Sequence, residues 1–188
     1  MTRMRNPLRN LLKNRLALST VVTTLIILVV SVLLAGVVTY FAINVTSTRV
    51  QEESLHLTKQ HVWYVSGTDE AAIMIINTGG RDVVLDKVTV RGQECAWASV
   101  FYNTTTSSIS ADLAFNTTLA TNGNISIGGT NYLFTVASTD LTLESGKTMV
   151  LYISSPDSIT VNDIGLTVAV TVFRSQAMYY KESNVESS

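Results

Sequence analysis

Leu16 to Ile43 reads LALSTVVTTLIILVVSVLLAGVVTYFAI, and no charged residue interrupts the chain between Arg15 and Arg49. At 1.5 Å per residue this run makes a helix about 40 Å long, against a bilayer hydrocarbon core of roughly 30 Å. A helix packed in a soluble domain of this size needs a polar stripe facing water. The run offers only scattered Ser and Thr, which can hydrogen-bond back to their own helix. The stretch therefore reads as a membrane-spanning helix.

Outward from it, the two flanks differ in charge. Arg3, Arg5, Arg9, Lys13 and Arg15 precede the run, with no Asp or Glu among the first fifteen residues. Basic flanks stay on the cytoplasmic side, so the remainder of the chain is expected outside, no second apolar stretch being present to bring it back. Removing those five from the 13 Lys+Arg leaves 8 against all 14 Asp+Glu, a formal −6 for the exported part. The near-neutral total hides a basic head and an acidic body, an asymmetry that belongs to topology and not to nucleic-acid binding.

An ordinary secretory signal has an apolar region of about 7–15 residues ending in a small-residue cleavage site. This run is about twice that length, with no A-x-A-like exit before Thr46. A different cut is suggested by Lys13-Asn14-Arg15-Leu16-Ala17-Leu18-Ser19-Thr20-Val21-Val22. A basic region, a small residue and a Leu-Ser-x-Val-Val helix start resemble the leader of archaeal type IV pilins and their archaellin relatives. The resemblance implies a prepilin peptidase that cuts between Ala17 and Leu18 and leaves the hydrophobic helix on the mature protein. Two features depart from the pattern: Leu16 stands where the family often has a basic residue, and Val22 stands at the fifth mature position, where bacterial pilins place Glu. The second departure favours the archaeal branch.

Ser31, Ala35 and Thr39 recur every four residues with Gly36 beside them. They make one strip of small side chains on which another helix can approach closely. A lone anchor needs about 20 apolar residues, and the excess length suits a helix bundled on all sides. Val50, Ser54, Leu57 and His61 follow the spacing of one helix face. The helix is therefore expected to continue as a stalk to residue 60. His56 and His61 are five apart, not the four that sets two imidazoles side by side as metal ligands, and read as solvated or packed side chains.

From about Trp63 the texture changes to short runs rich in Val, Ile and aromatic residues, parted by turn residues. They are Ala71 to Ile76, Val83 to Arg91, Ala96 to Tyr102, Ile109 to Phe115, Asn124 to Ile127, Tyr132 to Ala137, Lys147 to Ser154 and Ile164 to Phe173. Val84, Asp86, Val88 and Val90 alternate with Leu85, Lys87, Thr89 and Arg91, and Leu166, Val168, Val170 and Val172 alternate with Thr167, Ala169 and Thr171. One apolar face per strand predicts an antiparallel sandwich with one wet side per sheet. The fold class expected is α+β: a long hydrophobic N-terminal helix followed by an all-β Ig-like or Greek-key sandwich. The divisions are a basic leader over 1–17, helix and stalk over 18–60, the sandwich over 61–175 and a flexible tail over 176–188.

Cys95 is the one cysteine, which excludes an internal disulfide and reads as a small buried hydrophobe. The sequence lacks G-x-S-x-G, H-E-x-x-H, a P-loop, a dinucleotide fingerprint and a CxxC pair, so no catalytic residue, metal ligand or cofactor is expected. Asp69, Glu70, Asp82, Asp86, Asp157 and Asp163 read as solvated turn charges. Asn44, Asn103, Asn116 and Asn124 are candidate N-glycosylation acceptors by the N-x-[ST] pattern. The last three cluster in Asn-, Thr-, Ser- and Gly-rich stretches that read as loops.

The function expected from the resemblance is that of a structural subunit of a type IV pilus-like surface filament serving adhesion or motility. Its implied partners are other copies of the chain, the membrane, the prepilin peptidase, a cytoplasmic assembly ATPase and a polytopic platform protein, with no nucleic acid. A single-pass anchored extracellular binding or receptor sandwich shares every feature except processing at Ala17. An anchored enzyme finds no support in the exported residues.

Overall fold

The computed structural model describes residues 7–50, 53–116, 119 and 123–187, with helix side chains described over 18–47. The chain divides into two compact units, residues 1–49 and 50–188.

The first unit is one helix, α1, over Pro7–Val50. Proline at the first helical position loses nothing, since that N–H has no partner inside a helix. Within α1, Leu18–Ser47 is long and apolar enough to cross a membrane, and none of it is buried within the chain.

The second unit is strand-rich and curled, as a sandwich requires. In chain order the strands are β1 (Leu55–Val65), β2 (Thr68–Asn77), β3 (Val83–Leu85), β4 (Lys87–Val90), β5 (Gln93–Glu94), β6 (Val100–Thr105), β7 (Asn124–Ile127), β8 (Thr130–Leu133), β9 (Thr135–Val136), β10 (Leu141–Leu143), β11 (Thr148–Ser154), β12 (Thr167–Arg174) and β13 (Ala177–Glu186). Nine of them form one sheet in the order β5-β4-β12-β13-β1-β2-β11-β6-β9, while β10-β3 and β7-β8 are separate pairs.

Curling brings the two halves of the large sheet onto one core. Leu57, Val62, Ile73, Ile75, Leu151 and Ile153 from β1, β2 and β11 share a cluster with Val88, Val90, Val170 and Val172 from β4 and β12, and with Leu85 and Leu143 from the β10-β3 pair. A second cluster lies on the other face of β1, β2 and β11. There Trp63, Ala72, Met74, Val150 and Tyr152 meet Ile109, Leu113, Leu119, Ile125, Ile127 and Phe134. Strands β2 and β11 are thus buried on both faces, and the expectation of one wet side per sheet fails at the centre. Ala71 to Ile76 (AAIMII) is apolar without alternation because it has no wet side.

Several boundaries differ from those read in the sequence. The helical stalk ends at Val50, and Leu55–Val65 is strand β1 instead. A bulge between Thr58 and His61, with Lys59 at φ 52°, moves Leu57 and Val62 onto the same face although they are an odd number of residues apart. That shift hides the strand period and mimics a helical one. The C-terminal stretch expected to be a flexible tail is β13, hydrogen-bonded antiparallel to β12 and parallel to β1. Only Val185 of it is deeply buried, so its sequence carries almost no apolar pattern.

Ile109 to Phe115 is not a strand but part of an irregular strap over residues 106–116. Its Ile109 and Leu113 drop into the second core while its backbone is held by side chains of the sheet. Val83 to Arg91 is two strands in two sheets. The alternation changes phase at Asp86, so that Leu85 and Val88 both point inward. Trp97–Ser99 forms a 3-10 turn ahead of β6.

Candidate functional site

Four Ser and Thr hydroxyls of α1 bond back to their own helix, as a helix that crosses a membrane requires. Thr23 donates to Ser19 O (2.9 Å), Thr24 to Val21 O (2.9 Å), Ser31 to Ile27 O (2.6 Å) and Thr39 to Ala35 O (2.8 Å). Each of these four hydroxyl protons is satisfied about one turn back, so the helix's polar groups there do not need water. On the strip of Ser31, Ala35, Gly36 and Thr39, a Cβ added at Gly36 would meet no atom within 4 Å. The strip is open to a neighbouring helix.

The junction between Ala17 and Leu18 lies inside the continuous helix. Leu18 is exposed, and the side chains of Met1 to Ala17 lie outside the described residues.

The four Asn acceptors fall in different settings. Asn124 opens β7 and is exposed. Asn44 lies on α1 within its apolar span. Asn103 sits on β6, where its Nδ2 donates to Leu133 O at 2.7 Å, a bond that a glycan on that nitrogen would disturb. Asn116 is half-buried at the end of the strap, its backbone N–H donating to Glu70 Oε1 at 3.1 Å.

The β-unit gathers a polar cluster that sequence reasoning missed. One cross-strand row, His61–Ala72–Tyr152–Phe101, runs under the strap. Around it the sheet fastens the strap at successive points. Lys59 Nζ donates to Ser110 O and Ala111 O, His61 Nε2 lies 3.1 Å from Asp112 Oδ1, Tyr152 Oη donates to Ala114 O at 3.1 Å, and Glu70 accepts from Asn116 N. Trp63 stacks on His61 at 5.1 Å and meets Phe115 edge-on at 6.2 Å.

Glu70, expected to be a solvated turn charge, is 2% exposed. Burial pushes its carboxyl up to about 8, the Asn116 N–H offsetting part of that, so the group is mostly neutral at pH 7. Burial likewise raises the Tyr152 phenol, with the Glu70 charge adding to the shift. Asp112 is partly desolvated. The His61 hydrogen bond, the Leu113 N–H and the nearby His61 and Lys59 charges nevertheless hold it below the usual carboxylate range.

Asp163 is also buried, contrary to expectation. It accepts from the Thr160 hydroxyl (2.7 Å) and Thr160 N–H (2.9 Å) and pairs with Arg91 Nη1 at 2.7 Å, closing the 3-10 turn Val161–Asp163. Cys95 is half-buried against the first core, and burial pushes its thiol up to about 11, so it stays protonated at neutral pH. Among the described residues, no three of His, Cys, Asp and Glu converge as metal ligands.

Neither protein-family models nor curated proteins give a match to this chain.

Proposed function

We propose that the chain is the precursor of an archaeal type IV pilin-like subunit, inserted with its basic N-terminus in the cytoplasm and its β-unit outside. A peptidase frees the helix before Leu18, and the helices then exchange lipid for one another in a filament core that carries the β-units outward. The observation that carries this reading is α1 itself. It is uncharged over Leu18–Ser47, satisfied within itself at the Thr23, Thr24, Ser31 and Thr39 hydroxyls, and longer than one crossing needs. A helix that only anchors has no use for the surplus. One that must be buried first by lipid and then by neighbouring helices does, and the small strip at Ser31, Ala35, Gly36 and Thr39 gives close approach. The β-unit has its own two cores and can face water beyond such a bundle.

The test is the N-terminal residue of the native surface protein. Filaments sheared from cells should contain a chain that begins at Leu18, and Ala17→Glu should abolish that product while leaving membrane insertion intact. Surface protein that keeps Met1 to Ala17 and enters no filament would refute the subunit reading and leave a tethered binding protein.

A further inference from the structure

Both ring nitrogens of His61 face carboxylates. Nε2 lies 3.1 Å from Asp112 Oδ1 on the strap, and Nδ1 lies 3.1 Å from Glu186 Oε1 at the end of β13. A neutral imidazole has one N–H and one lone pair, so it can bond only one of these; the other contact then sets a lone pair against an anion. An imidazolium donates to both. The side chains of Asp112 and Glu186 are 69% and 47% exposed, so both carboxylates keep their contact with water and face the ring as acceptors, and the proton that completes the bridge is the ring's. The carboxylates sit on opposite sides of the ring, which makes this a bridge and not a metal site.

We propose that His61 is a proton-operated latch: as imidazolium it fastens the 106–116 strap to β13 across β1, and as neutral imidazole it must drop one of the two links, so the bridge between strap and β13 breaks as pH rises. The groups facing the ring are Asp112 from the strap and Glu186 from β13, with Trp63 stacked on it along β1. Lys59, on the same strand, adds its charge beside Asp112, and Glu70 and Tyr152 lie beneath the strap. The tethers from Lys59 and Tyr152 keep the strap in place when the latch opens, so the response is a change in local opening and not loss of the fold. Behind the strap lie Trp63, Met74 and Tyr152 of the second core, which the open form exposes.

The experiment is amide hydrogen exchange on the full chain in detergent micelles from pH 5 to 9, corrected for intrinsic rates. It is run in the Glu70→Gln background, which removes the strap tether whose carboxyl titrates at about 8. Whichever partner the neutral ring releases, the strap or the end of β13, should open more readily at high pH by about ten-fold, the worth of one charge-assisted hydrogen bond, while β2 and β11 stay unchanged. Glu186→Gln is the decisive variant. A neutral His61 can donate to Asp112 and accept from the amide introduced on β13, so the pH dependence should flatten with the strap still closed. His61→Gln should flatten it with the strap more open at every pH. Protection that is independent of pH at both the strap and the end of β13, or a dependence that survives undiminished in Glu186→Gln, overturns the latch.

Discussion

Gly128 and Ala111 are packed so closely that a Cβ built on residue 128 would stand 2.6 Å from the Ala111 Cβ. Gly128 also holds φ +60°, in the turn between β7 and β8. The contact joins the hairpin to the strap, and neither partner has a flexible side chain with which to yield. Gly128→Ala should destabilise the β-unit by about 1–3 kcal/mol, from overlap and from the left-handed backbone together. Chemical denaturation of the detergent-solubilised chain, followed by near-UV circular dichroism, checks this. An unchanged midpoint would mean that the hairpin is not seated on the strap.

Glu70 gives stability a pH slope of defined sign. Its carboxyl titrates at about 8 in the folded protein against an ordinary 4.5, so the fold holds a proton that the unfolded chain releases. Between those values the unfolded chain binds fewer protons, and stability falls as pH rises, levelling off above about 8. Glu70→Gln should remove this slope, matching wild type near pH 4 and exceeding it by about 2–4 kcal/mol at pH 8.5. Thermal midpoints across pH 4–9 for the two proteins are the measurement, and parallel curves would contradict it.

Asp163 acts in the opposite direction. The Thr160 hydroxyl and backbone N–H hold its carboxyl below the usual range, burial opposes them, and Arg91 adds to the lowering. Its contribution is therefore present above the ordinary Asp range and lost as pH falls through the lowered value. Asp163→Asn should lower the melting temperature at neutral pH and shrink the acid-induced loss below pH 4. A variant whose acid limb matches that of wild type would sink this assignment.

Gly36→Leu separates folding from assembly. Because nothing in the chain lies near a Cβ at residue 36, the isolated protein should keep its helix content and its melting temperature. If helices pack through the small strip, the added side chain forces backbones apart. Filament yield should then drop several-fold with processing intact, read as sheared protein against membrane-bound protein on one gel. Normal yield would remove the strip from the packing surface.

How far the sequence was legible follows from where its signals were local. The helix declared itself because Leu18–Ser47 has no charge, a signal independent of any partner. Strands with one wet face, such as β12, showed in the alternation of Val168, Val170 and Val172. β1 was misread because its bulge at Lys59 puts Leu57 and Val62 out of register, and β13 because its hydrogen bonds are backbone ones that leave little apolar trace. The polar cluster under the strap was not legible at all. His61, Glu70, Asp112 and Glu186 come from four separate stretches, and only the curled sheet brings them together. The nearest hint was an acidic residue, Glu70, directly ahead of the wholly apolar Ala71 to Ile76, where a solvated charge is out of place.

β1 is the strand that the chain enters after the helix, and it lies inside the sheet, flanked by β2 on one edge and β13 on the other. Just ahead of it, Glu53 is ion-paired with Arg174 at the end of β12. A pull on the β-unit from its N-terminal end would therefore meet first an ion pair and then the axis of a strand inside the sheet. The ladder to β2 runs from Leu55 to Val65, and that to β13 joins it at Val62 and Trp63, so the far half of the strand is held on both sides. An edge strand in that position would peel. Buried in the sheet, the far half of β1 makes the N-terminal end of the β-unit resist extraction more than an edge strand would.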